Sequence, residues 1–500
     1  MASAISIPLL EDLNSSQINQ DSEFHASKPS LTLSEVILEI KMLYTIAFPM
    51  IVTGLLIYGK SLISMLFLGH LGKPALAGGS LAIGLANITG YSVISGLASG
   101  TEPISSQAFG ARRWPLMAQT LHRTIILLLL ACIPISILWL NIRPVLSLFD
   151  QNPEISKIAS TYLAFCLPDL LLQSFINPIK IYLRSQNITL PLMLGSGFSL
   201  ALHAPVNYLL VRRTGLGVKG VALSVVVSDL VFLGNLTVYM ACAWGLERKT
   251  RARGTAREIE WVPILSLALP SCCSVCLEWW WYEIMIVLSG NLSNAPEAVA
   301  AMGVLMQATS LAYVFPSAVG LAASTRVGNE LGAGRAEEAR AASAVAVTCS
   351  AVTSAAAAGA MAAMGGAWGR AFTGDGAVVG LTAAVMPVVG LCELGNWPQT
   401  AGCGVLRGSA RPGVGVRINL GSFYGVGLPL AVFMGFGMRM GLMGLWLGLL
   451  GAQVVCAGVM VWVLSRTDWV VQANKARELI GAVELNREGE SLLAATKIVY

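Results

Sequence analysis

Charge is what this sequence most lacks. Only 12% of its 500 residues are Asp, Glu, Lys or Arg, against roughly 25% in ordinary soluble chains. With 55% of residues hydrophobic and a mean hydropathy of +0.69, a water-soluble fold is excluded, because water would meet more apolar surface than one core can hide. Histidine is scarce, with 4 residues. None lies near the tightest cysteine group, Cys272, Cys273 and Cys276, so no metal site is expected and the ten cysteines read as buried, reduced thiols. The net charge of +5 is spread over short loops and forms no continuous basic face, which argues against a nucleic-acid partner. No P-loop or catalytic triad is present, so neither ATP-driven pumping nor enzymatic chemistry is expected. Residues 1–30 are polar and carry no basic stretch leading into an apolar run, so no signal peptide is expected and the first spanning helix should direct insertion. The dileucine Leu9-Leu10 in that tail is a candidate sorting signal.

Apolar runs fill the rest of the chain, each near the ~20 residues that a bilayer core demands of a helix. Twelve are expected, over about 35–68, 75–100, 116–142, 155–182, 188–211, 217–244, 261–290, 297–325, 337–364, 377–406, 413–436 and 441–465. The Ala-rich stretch 341–363 reads as a helix, since small residues let membrane helices approach closely. The expected organisation is a cytoplasmic tail (1–34), a six-helix lobe (35–244), a charged linker (245–260), a second six-helix lobe (261–465) and a C-terminal tail (466–500). Basic residues concentrate on the linker side, at Arg112, Arg113, Arg184, Arg326, Arg335, Arg340, Arg407 and Arg411 besides the linker itself. Both termini are therefore expected in the cytoplasm. The pair Arg212 and Arg213 runs against that rule. Asn291-Leu292-Ser293 is then a candidate glycosylation sequon on the far side.

The chain repeats itself at a shift of about 220 residues. Pro49, Gly69 and Leu71 return as Pro270, Gly290 and Leu292; Gln107-Ala108-Phe109-Gly110-Ala111 returns as Asn329-Glu330-Leu331-Gly332-Ala333. Pro168 and Pro178 match Pro387 and Pro398, Arg184 and Pro191 match Arg407 and Pro412, and Gly217 and Gly220 match Gly441 and Gly444. An even number of spans per repeat makes both halves enter from the same side, so a pseudo-twofold axis along the membrane normal relates them and a central cavity lies between. This all-α, six-plus-six membrane architecture suits alternating access. The prolines Pro49, Pro178, Pro270 and Pro398 remove backbone hydrogen bonds and are candidate hinges, or fixed kinks.

Ionisable groups inside a membrane are costly and are candidates for function by default. Helix seven carries Glu278 and Glu283, about 18 Å and 10 Å from its outer end at ~1.5 Å per residue. Removal from water disfavours the charged form of a carboxylate, as exchange of a coupling proton requires. Helix ten carries Glu393 and Asn396 on adjoining faces of one turn. Asp169 and Asp229 are further acidic candidates. Trp279, Tyr282 and Trp397 are candidates to line a cavity by stacking on a flat solute, or to face lipid.

The run Leu66 to Gly96, Glu102-Pro103 with Gln107 to Ala111, Cys276-Leu277-Glu278-Trp279-Trp280 and Arg326-Val327-Gly328-Asn329-Glu330-Leu331-Gly332 resemble the multidrug and toxic compound extrusion (MATE) transporters in their plant branch, the DETOXIFICATION group. The resemblance covers nearly all of 35–465. It implies a monomeric antiporter in two lobes that expels small organic solutes against protons, or alternatively sodium, and needs no other cofactor. It implies the plasma, vacuolar or Golgi and endosomal membranes without choosing among them. Glu278 matches the helix-seven carboxylate of that branch. On helix ten Asn396 stands where many members have an aspartate, with Glu393 one turn earlier. The first helix has no Asp, so a coupling site in the first lobe like that of some microbial members is not expected. Alternatives of other kinds are a lipid-linked-sugar flippase, which needs a more basic cavity, a major-facilitator carrier, whose usual acidic residue after helix two is missing here, and a receptor or scaffold that does not transport.

Overall fold

The computed structural model describes residues 32–148, 152–251 and 261–481. The N-terminal tail up to residue 31, linker residues 252–260 and the chain beyond 481 lie outside the described residues. Among the described residues, twelve helices are long and apolar enough to span a membrane. In order they are α1 (Leu33–His70), α2 (Lys73–Gly110), α3 (Trp114–Leu140), α4 (Pro153–Ser185), α5 (Leu190–Arg213), α6 (Val218–Ala243), α7 (Trp261–Ser289), α8 (Ala295–Gly332), α9 (Ala336–Phe372), α10 (Gly376–Gly408), α11 (Pro412–Gly437) and α12 (Leu442–Ser465). The helix of α6 runs on to Arg251, into the segment read as linker. The segment read as C-terminal tail contains a further helix, α13 (469–481).

Many spans open on a proline in the first turn, including Pro153 in α4, Pro191 in α5 and Pro412 in α11, where the missing N–H has no partner to lose. Asp375 caps α10 by accepting from the amides of Ala377 and Val378 at 2.8 and 3.3 Å, satisfying two donors that a helix start leaves open. Each lobe is built around its fourth helix. In the N-lobe α4 packs on α2, α3 and α6; in the C-lobe α10 packs on α8, α9 and α12. The Ala-rich stretch lies within α9, and its small side chains let α10 approach so closely that a Cβ on Gly390 would stand 2.8 Å from the Ala358 carbonyl.

The sequence repeat is a repeat of backbone geometry. After α2 and α8 the chain turns through a left-handed residue, Arg112 (φ 59°) and Gly334 (φ 77°), closed by matching bonds from Arg113 N to Ala108 O and from Arg335 N to Glu330 O at 2.8 and 2.9 Å. After α4 and α10 the same turn recurs at Asn187 and Ala410 (φ 61° and 57°). The glycine matches have steric causes. Gly217 and Gly441 hold φ of 55° and 60°, and a Cβ on Gly220 or Gly444 would press to 2.8 or 2.6 Å of the Leu210 or Met434 carbonyl.

The lobes meet along a seam on the linker side. There Gly110 lies on the carbonyl of Asn329, and Gly332 reciprocally on the carbonyl of Gln107, so each repeat's glycine admits the other's backbone. Gln107 Nε2 donates to the last carbonyl of α10, Gly408 O, at 3.0 Å. The Asn329 amide, turned to suit its neighbours, donates to the last carbonyl of α4, Ser185 O, at 3.2 Å. Three of the arginines read as loop charges are instead part of this seam. Arg184 bonds Glu102 at 2.7 Å, and Arg407 approaches the same carboxylate from the other lobe at 4.0 Å. Arg326 of α8 grips Glu39 of α1 with two bonds of 2.9 Å and Glu330 at 2.8 Å. Helix α13 lies across the same side: Ile480 is buried among N-lobe side chains and its carbonyl accepts from Arg113 at 2.9 Å, while Arg477 lies against Gly334 of the C-lobe. The linker side is thus closed, and the cavities lie beyond the seam.

Candidate functional site: two adjoining cavities

Midway along α2 the helix loosens into a π-helical turn, Asn87–Tyr91, a form that recurs where helices carry function. Trp280 of α7 donates to the Ile88 carbonyl of that turn at 3.0 Å, and Trp139 fills the space behind it, bonding Thr89 Oγ1 at 2.9 Å. Asn87 in this turn and Trp279 on α7 line two cavities, one in each lobe.

The C-lobe cavity, about 260 Å³, is walled by Glu278, Trp279, Tyr282 and Glu283 of α7 and by Met306, Thr309, Ser310 and Tyr313 of α8. Both α7 carboxylates and two of the three aromatic candidates therefore meet in one place. Tyr313 is an electrostatic neighbour of Glu278 across this cavity. Behind Glu278 a narrow space of about 20 Å³, lined also by Ser274, Cys403 and Arg407, leads toward the seam. Glu393 does not line the cavity. It is buried and accepts from Asn396 Nδ2 at 2.8 Å and from Trp397 Nε1 at 3.0 Å, and Tyr282 of the cavity wall is an electrostatic neighbour of Glu393 and Glu278 alike. Trp397 lies with it, stacked on Phe315 at 6.0 Å between ring centroids, away from the cavity walls. Of the four prolines, Pro178 and Pro398 lie at equivalent places in α4 and α10, and Pro49 and Pro270 within α1 and α7.

The N-lobe cavity, about 310 Å³, brings together the two further acidic candidates, Asp169 and Asp229, with two lysines that the sequence reading did not single out, Lys60 and Lys180. Lys60 is ion-paired to Asp229, which also accepts from Gln173 Nε2 at 3.2 Å. Asp169 accepts from the Tyr91 hydroxyl at 2.6 Å. Next to them, Ser64 and Ser228 bond the two ring nitrogens of buried His203 at 2.9 and 2.7 Å. The signal was in the sequence: a lysine at position 60 interrupts an apolar span, and such residues are rare enough to demand a partner.

A helical protein with two pseudo-symmetric six-span lobes, a seam closing one side and polar cavities beyond it has the build of an alternating-access membrane carrier. Comparison with known proteins gives the class its family. The MatE family model matches residues 49–209 and 270–433. Protein DETOXIFICATION 51 of Arabidopsis thaliana is 50% identical over 473 residues, covering 94% of this chain and 89% of that protein. Protein DETOXIFICATION 49 of the same organism is 50% identical over 465 residues, 92% of each. The crystal structure of the eukaryotic MATE transporter AtDTX14 superposes with a TM-score of 0.83 at 32% identity, covering 89% of this chain and 99% of that one. The chain belongs to the MATE family of multi-pass membrane transporters.

Proposed function

We propose that this transporter exports small organic solutes by antiport against protons, with Glu278 as the coupling carboxylate. The observation that carries this reading is the position of Glu278: it lines the C-lobe cavity and also the narrow space that leads to Arg407 and the seam. A proton taken up there from the open side weakens the hold on solute. Loss of the proton toward the linker side, once the lobes have rocked, resets the site. Coupling follows only if proton and solute bias opposite states, since a ligand bound equally in both shifts nothing. Glu283 widens the acidic wall, and Glu393 with Asn396 supports it through Tyr282. The excess of Lys and Arg on the linker side supports a cytoplasmic orientation of that side.

The test is uptake of a labelled panel of organic cations and anions into proteoliposomes under an imposed pH gradient. Uptake should collapse with a protonophore and be lost in Glu278→Gln protein that elutes and melts like wild type. Gradient-driven uptake that persists undiminished in Glu278→Gln would refute the assignment and move coupling to Glu283 or Glu393.

A further inference from the structure

The coupling scheme leaves the N-lobe cavity without a role, and its charges are unevenly matched. Lys60 is spent on Asp229, Asp169 on the Tyr91 hydroxyl, and Arg184, one turn beyond Lys180 on α4, on Glu102. Lys180 also lines the cavity, yet among the described residues it makes no ion pair or hydrogen bond. Its electrostatic neighbours are Arg184, Lys60 and Asp229, two cations and one anion that is already paired. Asp169 has Asp229 and Lys60 among its main electrostatic neighbours, while those of Lys180 include the cations Arg184 and Lys60. Lys180 is half-buried, and an ammonium partly withdrawn from water without a bonded counter-charge is costly; a ligand carboxylate would supply what the chain does not. Ile83, Ile176 and Phe232 wall the same space, and its 310 Å³ lies at the lower end of small-molecule sites.

We propose that the N-lobe cavity is a binding site for an organic anion, a carboxylate on a flat apolar body, with Lys180 as its charge partner. Solute then binds in one lobe while the carboxylates proposed for coupling sit in the other, with Asn87 and Trp279 at the boundary both cavities share. This inference goes beyond the coupling reading and does not depend on it, because binding at equilibrium needs no gradient.

The experiment is calorimetric titration of the purified full chain with three probes of one shape: 2-naphthoate, 2-naphthamide and 2-naphthylmethylammonium. The carboxylate should bind and the other two should bind at least about tenfold more weakly, the scale of one charge-assisted contact. Lys180→Gln should weaken 2-naphthoate by a similar factor with an unchanged elution profile and melting midpoint. Lys180→Arg should restore most of the affinity, and Lys157→Gln, an exposed lysine on the same helix, should leave it as in wild type. Absence of 2-naphthoate binding, equal binding of all three probes, or indifference to Lys180→Gln in folded protein overturns the proposal.

Discussion

Replacing Glu39 by Gln tests whether the seam holds the linker side shut. Glu39 is 5% exposed and Arg326 8%, and the two make a bidentate pair of 2.9 Å bonds between α1 and α8. Breaking a buried pair costs about 3–5 kcal/mol when the surviving charge is stranded. Here Arg326 keeps Glu330 at 2.8 Å and glutamine keeps one acceptor oxygen, so the loss is closer to that of a single hydrogen bond to a charged group, about 1.5–3 kcal/mol. In the state with the linker side open both groups reach water, so nearly all of that loss falls on the closed state. The equilibrium should therefore move roughly ten- to a hundredfold toward opening on the linker side. Spin labels at Asn187 and Glu338, both exposed and on opposite lobes, report the change as a distance distribution in a background without the exposed Cys242 and Cys273. Glu39→Gln should populate a longer distance that is rare in wild type, Arg326→Gln, which also removes the bond to Glu330, should do so at least as strongly, and the double change should fall short of the sum because both remove the Glu39–Arg326 bonds. A distribution unchanged in folded Glu39→Gln protein would refute the idea that this pair holds the closed state.

Three further outcomes follow from the packing. Gly110→Val places methyl groups against the Asn329 backbone, where even a Cβ finds no room; it should open the seam without unfolding either lobe, read as faster labelling of a cysteine introduced at Ser106. Trp139→Ala removes a fully buried side chain and its bond to Thr89 and should cost about 3–5 kcal/mol, measured by thermal unfolding in detergent. Ile480→Asp puts a charge at a position that is 2% exposed; α13 should release from the linker side, seen as rapid proteolysis between residues 468 and 481 with the twelve spans intact.

The sequence by itself determined the membrane class, the twelve spans and the repeat, and the reasons are local. A span must be apolar for about 20 residues whatever surrounds it, and a proline or a left-handed glycine imposes its geometry on the chain around it. That Glu278 and Glu283 share one helix was legible too, but residues five apart do not share a face, and packing brought both to one cavity. What only the tertiary structure decided was which charges meet across helices. Glu39 and Arg326, Glu102 and Arg184, and Lys60 and Asp229 are far apart in the chain, and periodicity fixes a residue's face on its own helix without saying which helix faces it. For the same reason the arginines of the seam read as loop charges, Trp397 read as either a cavity wall or a lipid-facing ring although it is buried and stacks on Phe315, and the lysines of the N-lobe cavity went unremarked. An intramembrane charge announces in sequence that a partner is needed. Only the packing of six helices around one space says whether the chain supplies that partner, as it does for Lys60, or leaves the place open, as it does at Lys180.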